Sequence, residues 1–164
     1  MRASIPTNVV DNSYAVFPEG TYTGHIASAE VRDPKGDGTW QTLKIGLDSV
    51  TPIDDTPDPG RQRFASDIAI VTDGFDLREI EDFSKRDIPY AIVRAGGLLG
   101  GMAEALGLVT REGGRMEVDL LEVVTALTEG NFASEAVAFQ VTHYIPKNAP
   151  DKPREQFGSF RSAS

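Results

Sequence analysis

The sequence predicts an α+β domain in which strands come first, helices occupy the middle, and one or two strands close the chain. Three observations carry that reading. Apolar residues between positions 20 and 71 recur at a two-residue period, broken by turn-forming runs. Between 92 and 106 they recur at helical spacing. Val137, Phe139 and Val141 then alternate against Gln140, Thr142 and Tyr144, which restores the strand period.

Residues 1–16 have no hydrophobic period and are rich in Asn, Ser, Pro and Thr, so they read as a flexible arm. The first strand begins near Gly20, where Tyr22, Ile26 and Ser28 alternate with Thr21, Thr23, His25 and Ala27. Asp33-Pro34-Lys35-Gly36-Asp37-Gly38 supplies turn chemistry and predicts a hairpin. The second strand runs from Trp40 to Val50, with Leu43, Ile45 and Leu47 on one face and Trp40, Thr42, Lys44 and Asp48 on the other. Three prolines and an acidic cluster make Pro52–Gly60 a loop. In a third strand, Arg61 to Val71, Phe64, Ile68 and Ile70 point inward while Arg61, Arg63 and Asp67 point outward.

Asp76-Leu77-Arg78-Glu79-Ile80 begins like a capped helix, and Pro89 interrupts it. Ile92 to Leu106 reads as a helix ending near Gly107, and Asp119 to Glu129 as a second, with a strand left open there by its β-branched residues. The domain is expected to end at residue 145. The stretch 146–164 reads as a Pro-rich basic segment, because from His143 onward four cations face two acids.

The absence of cysteine excludes disulfides, thiol nucleophiles, zinc ribbons and iron–sulfur sites. The N-terminus lacks the apolar run of a secretory signal. Ile92 to Val109 contains Arg94, Glu104 and four glycines between 96 and 101, so a buried helix is expected there and no membrane span. A 164-residue chain can bury a core without a metal. The net charge of −9 argues against a wholly basic nucleic-acid coat but leaves room for a local basic face.

Catalytic constellations are weak. Two histidines, His25 and His143, cannot make an all-His zinc site, and no G-x-S-x-G elbow or Walker lysine is present. Asp33 to Gly38 resembles the start of a calcium loop, but Lys35 and Lys44 stand where oxygen ligands are required. The acids from Asp73 to Asp87 read as a solvated face, with paired-carboxylate chemistry the minor alternative. No enzyme activity, cofactor or metal is therefore expected.

A distributed set of residues is more informative. If the second and third strands pair, Trp40, Thr42 and Lys44 share an outer face with Arg61 and Arg63, and Arg32 and Lys35 lie in the preceding hairpin. Such an aromatic and basic strip suits single-stranded nucleic acid, whose bases stack on rings while cations follow the phosphates. The expected contacts are Trp40 and Tyr144 for stacking, with Lys35, Lys44, Arg61 and Arg63 for phosphates. The plainer alternative is a helix-covered Trp40 and surface cations paired with Asp37, Asp48 or Asp67.

The run Phe17-Pro18-Glu19-Gly20-Thr21-Tyr22-Thr23-Gly24-His25-Ile26, then Trp40-Gln41-Thr42-Leu43-Lys44-Ile45, the helix ending Ala105-Leu106-Gly107, and Phe139-Gln140-Val141 resemble small bacteriophage single-stranded-DNA-binding-type proteins. The likeness covers roughly residues 17–161. It implies an OB-like, partly open five-stranded β-barrel with a helical insertion between strands 3 and 4. It also implies non-specific DNA binding in phage replication or recombination, in the cytoplasm of the infected bacterium, without catalysis. Homo-oligomers and phage replication or recombination proteins are further partners on this reading. The chain departs from that type in its end, Gly158–Ser164, which has a basic approach in place of an acidic tail. The competing expectation is a virion or assembly protein whose terminal arms reach neighbouring subunits.

Overall fold

The computed structural model describes residues 1–4, 17–33, 40–109, 112–146, 150–151 and 153–163. Among these, β1 (Gly20–Arg32), β2 (Gln41–Ile53), β3 (Phe64–Thr72), β4 (Phe75–Asp76), β5 (Ala136–Tyr144) and β6 (Arg154–Ser162) form one antiparallel sheet in the order β4-β3-β2-β1-β5-β6. Helices α1 (Tyr90–Ala105) and α2 (Leu120–Thr128) lie between β4 and β5 in the chain. Most of the N-terminal arm, and residues 34–39 with Lys35 among them, lie outside the described residues.

Three strands separate β3 from β6 in the sheet order, so a flat sheet would hold them about 19 Å apart at ~4.8 Å per strand. Instead the Phe64 ring of β3 meets the Phe157 ring of β6 at 5.1 Å and the Phe139 ring of β5 at 5.7 Å. The sheet is curled into a half-barrel. Four register shifts bend it: Ser49 and Val50 oppose Gly24, Ala27 is an extra residue in β1, Ile70 in β3 and Gly158 in β6. Gly24 is pressed against its neighbours, because a Cβ there would come within 3.3 Å of the Asp48 carbonyl, Val50 and Phe139.

The aromatic interior continues through Phe17, Tyr22 and Phe160, all buried. Leu43, Ile45 and Leu47 of β2, Ile68 and Ile70 of β3, and Val137 and Val141 of β5 complete it with the alternation expected of half-buried strands. Helix α1 packs on β3 and β6, across the opening of the half-barrel, while α2 packs on β1 and the short turn after β4. The approach of α1 to β6 is close: a Cβ on Gly101 would stand 2.7 Å from the Phe160 carbonyl oxygen. Arg94 reinforces the contact by donating to the Phe157 carbonyl. An edge strand covered in this way has fewer free backbone groups to offer another chain.

Helix ends follow local chemistry. Gly107 takes φ +75° after α1, and the Leu108 N–H reaches back to the Ala103 carbonyl at 2.9 Å. Asp119 caps α2 through the Glu122 N–H, and Gly130 takes φ +80° beyond it. Residues 119–129, left between helix and strand by their side chains, are thus helical at Leu120–Thr128.

Several expectations are corrected. There are six strands among the described residues, not five: the tight turn at Asp73 (φ +48°) and Gly74 (φ +83°) folds Phe75–Asp76 back as β4. Asp76 caps only a three-residue 3₁₀ turn, Leu77–Glu79, and not a longer helix. The third strand starts at Phe64, so Arg61 and Arg63 precede it. Ser28 is exposed because the extra residue Ala27 reverses the alternation beyond Ile26, and Ala29 packs against the core in its place. The sheet also extends past residue 145, since the Pro-rich segment supplies β6, with Phe157 and Phe160 buried.

Candidate nucleic-acid interface

Cross-strand register decides what the outer face of the sheet presents. Glu30, Lys44 and Asp67 form one row across β1, β2 and β3, and Arg32, Thr42 and Ala69 form the next. Thr42 Oγ1 lies 3.3 Å from Asp67 Oδ1, and the Arg32 guanidinium is ion-paired with Glu30 at 2.7 Å. Lys44 is therefore flanked by two acids, and its row is net negative. Direct neighbours across a sheet interact at this range, so the predicted basic strip is largely compensated at its centre.

Trp40 stands immediately before β2 and is 49% exposed, so it is not covered by the helices. Its neighbour Gln41 is held at both ends of its side chain: Nε2 donates to Asp33 at 2.9 Å, and Oε1 accepts from Arg78 at 2.8 Å. Arg78 is itself bound to Asp76 through two hydrogen bonds of 2.8 and 2.7 Å. The side-chain hydrogen bond from Arg78 holds the Asp76 carboxyl below the usual carboxylate range, and the same bond raises the Arg78 guanidinium. A chain of four polar side chains thus fixes the backbone from which the exposed indole projects.

The two arginines expected on this face have different surroundings. Arg61 lies 4.6 Å over the Phe17 ring and is ion-paired with Glu155 at 3.0 Å, so it belongs to the end of the half-barrel and not to the Lys44 row. Arg63 is exposed beside a shallow hollow of about 380 Å³ formed with Ala27, Gly46, Leu47, Asp48, Phe64 and Ala65. Among the described residues Arg63 has no ion pair.

Tyr144 ends β5, next to Arg154 of β6, and is 40% exposed. Trp40 and Tyr144 are both available to solvent but lie at opposite ends of the thirteen-residue β1, because β5 pairs only with its first half. The expected contacts therefore fall into four places: Trp40 with Lys44 toward the start of β2, Arg63 opposite Asp48 further along that strand, Arg61 at the closed end, and Tyr144 near the β5–β6 connection. Lys35 lies outside the described residues.

Of the two histidines, His143 takes a structural place. His143 donates from Nε2 to the Phe17 carbonyl at 2.5 Å, and its backbone N–H donates to Glu19 at 3.2 Å. His25 is an exposed strand residue. The acids of 73–87 are dispersed among turns, with Asp76 engaged by Arg78 and Asp82 by Ser84 at 2.6 Å. Among the described residues no three His, Asp or Glu side chains could hold a metal ion, and no helix is long and apolar enough to cross a membrane. An apolar cleft of about 510 Å³ runs beside α2 between Leu108, Val118 and Leu121 and shares no residue with the Trp40 region. No protein-family model matches the sequence, and no curated protein matches it.

Proposed function

We propose that this protein binds single-stranded DNA non-specifically, as the phage proteins it resembles do in replication or recombination, with no catalytic step. The half-exposed Trp40, on a backbone braced by Gln41, Arg78 and Asp76, carries the proposal. A folded domain gains by burying its single tryptophan, and a fixed indole in solvent offers a stacking surface to any base.

The fold supports the same reading. Its five long strands follow the order β3-β2-β1-β5-β6 with the helices between the third and fourth of them, which suits an OB-like barrel with a small added strand. Barrels of that class take oligonucleotides across their second and third strands, aided by the connections after the first and fourth. Here those places hold Trp40 and Lys44 toward one end, Arg63 beside Asp48 further along β2, and Tyr144 at the other end. Work in the cytoplasm of an infected bacterium follows from this function.

Because acids flank Lys44, stacking carries more of the affinity than phosphate contact, and the dependence on salt is shallow. Titration of the protein with oligothymidine, followed by Trp40 fluorescence and by anisotropy of a labelled strand at several salt concentrations, tests the proposal. Saturable binding, quenching and preference over duplex are expected. No binding by either signal at low salt would reject it.

A second reading, an assembly protein of the virion, draws on the apolar cleft beside α2, where Leu108 and Leu121 are exposed. Stable oligomers in light scattering, together with absent DNA binding, favour it.

A further inference from the structure

Tyr90 opens α1 and is 80% exposed, an unusual place for a large ring that could pack against the sheet. Arg94 follows one helical turn later and so shares its face. The Arg94 guanidinium is half-buried, with one N–H given to the Phe157 carbonyl beside the Gly158 bulge of β6. Burial lowers its pKa. Because Gly101 meets Phe160 and Arg94 meets Phe157, α1 runs along β6 toward Arg154 and carries Tyr90 to that end of the strand. Tyr144 in turn pairs across the sheet with Arg154. Among the described residues neither Arg94 nor Arg154 is ion-paired. A half-buried cation without a carboxylate is costly to desolvate, and an anionic ligand would offset that cost.

We propose that Tyr90, Arg94 and Tyr144 form a second contact for single-stranded DNA, with the tyrosine rings stacking on bases and Arg94 meeting a phosphate. This rests on the DNA-binding reading above and extends it from the β2–β3 face to the helix that closes the half-barrel. The patch combines the two features the central row lacks: uncompensated positive charge and paired aromatic surface. It also gives a role to Tyr144 that its distance from Trp40 would otherwise leave isolated. A strand held at Trp40 continues across the sheet and is held again at the β5–β6 end.

The test uses the full chain and a labelled oligothymidine of about 20 nucleotides, long enough to exceed the footprint of one barrel. Tyr90→Ala is expected to weaken binding by about fivefold to about a hundredfold, the range for loss of one stacked base, while saturating DNA still quenches Trp40. Tyr90→Phe is expected to retain wild-type affinity, and photo-crosslinks from iodouracil-substituted DNA should map to the peptides containing Tyr90 and Tyr144. If wild type binds but Tyr90→Ala and Tyr144→Ala bind equally well, the second contact is rejected and the Trp40 reading stands. If Tyr90→Phe weakens binding as much as Tyr90→Ala, stacking there is rejected. If wild type itself does not bind, both proposals fall.

Discussion

Phe17 donates its backbone N–H to the Glu155 carboxylate at 2.7 Å, tying the residue that enters the domain to its last strand. The same carboxylate receives Arg61, whose guanidinium lies over the Phe17 ring, and the Phe17 carbonyl receives His143. The ring itself is buried edge-on against Tyr22 at 5.5 Å and Phe64 at 5.1 Å. One aromatic residue, held at ring, N–H and carbonyl, therefore seals this end of the half-barrel.

Glu155→Ala removes the acceptor for both the Phe17 N–H and Arg61. Hydrogen bonds to a charged group contribute about 1.5–3 kcal/mol, and partial exposure of the pair places the expected loss near ~2 kcal/mol. Glu155→Gln keeps an acceptor oxygen and should lose less. Urea unfolding followed by Trp40 fluorescence measures both, and equal midpoints for wild type and Glu155→Ala would contradict the role given to this carboxylate.

Two glycines of α1 should respond in opposite directions to the same substitution. Gly101→Ala drives a methyl group against the Phe160 carbonyl oxygen of β6, and forcing the helix off the strand should cost about 1–3 kcal/mol. A Cβ on Gly97 meets nothing within 4 Å, so Gly97→Ala should stabilise the exposed helix interior by up to about 1 kcal/mol. Thermal unfolding of the two variants gives a melting temperature below wild type for the first and above it for the second.

These relationships mark where sequence pattern stops being sufficient. Leu43, Ile45 and Leu47, and later Val137, Phe139 and Val141, show their strands because one face is buried and the period is unbroken. The Ile92–Leu106 helix is legible for the same reason, with Gly107 as its stop. β6 is harder to read, because the extra residue Gly158 puts the buried Phe157 and Phe160 three apart, a spacing that belongs to neither face of a regular strand. The compensation of Lys44 is a property of register: Glu30 and Asp67 are distant in sequence and become neighbours only once β1, β2 and β3 are aligned. Tyr90 and Arg94 show only a helical spacing in the sequence, and their nearness to Tyr144 depends on where α1 crosses β6.

The bracket beneath Trp40 predicts an acid-sensitive contribution to stability. Asp76 titrates below its unfolded value of about 3.9, chiefly because of its hydrogen bond from Arg78, so the folded state favours the carboxylate. The associated stability is present above about pH 4 and is lost as the pH falls through the lower folded pKa. Asp76→Asn should be less stable than wild type near neutrality, and the gap in melting temperature should close in acid. A gap independent of pH would show that the bracket stabilises by packing alone.

Arg61 and Arg63, two residues apart, should separate stability from binding. Arg61 stacks on Phe17 and pairs with Glu155, so Arg61→Ala should lower the urea midpoint by removing the interactions that seat Phe17. Arg63 is exposed beside the β1–β3 hollow and, among the described residues, makes no ion pair, so Arg63→Ala should leave the midpoint within about 0.5 kcal/mol of wild type. If DNA crosses this face, deleting one phosphate-binding cation should reduce the slope of log affinity against log salt by about 0.7 for a single strand. Arg63→Ala should show that reduction while Trp40 quenching at saturation persists, since the indole still stacks. The central row refines the expectation, because Lys44 already faces Glu30 and Asp67 and releases fewer counterions when DNA arrives. Lys44→Ala should therefore change the slope less than Arg63→Ala does. An unchanged slope in both variants would move phosphate binding away from β2 and β3 altogether.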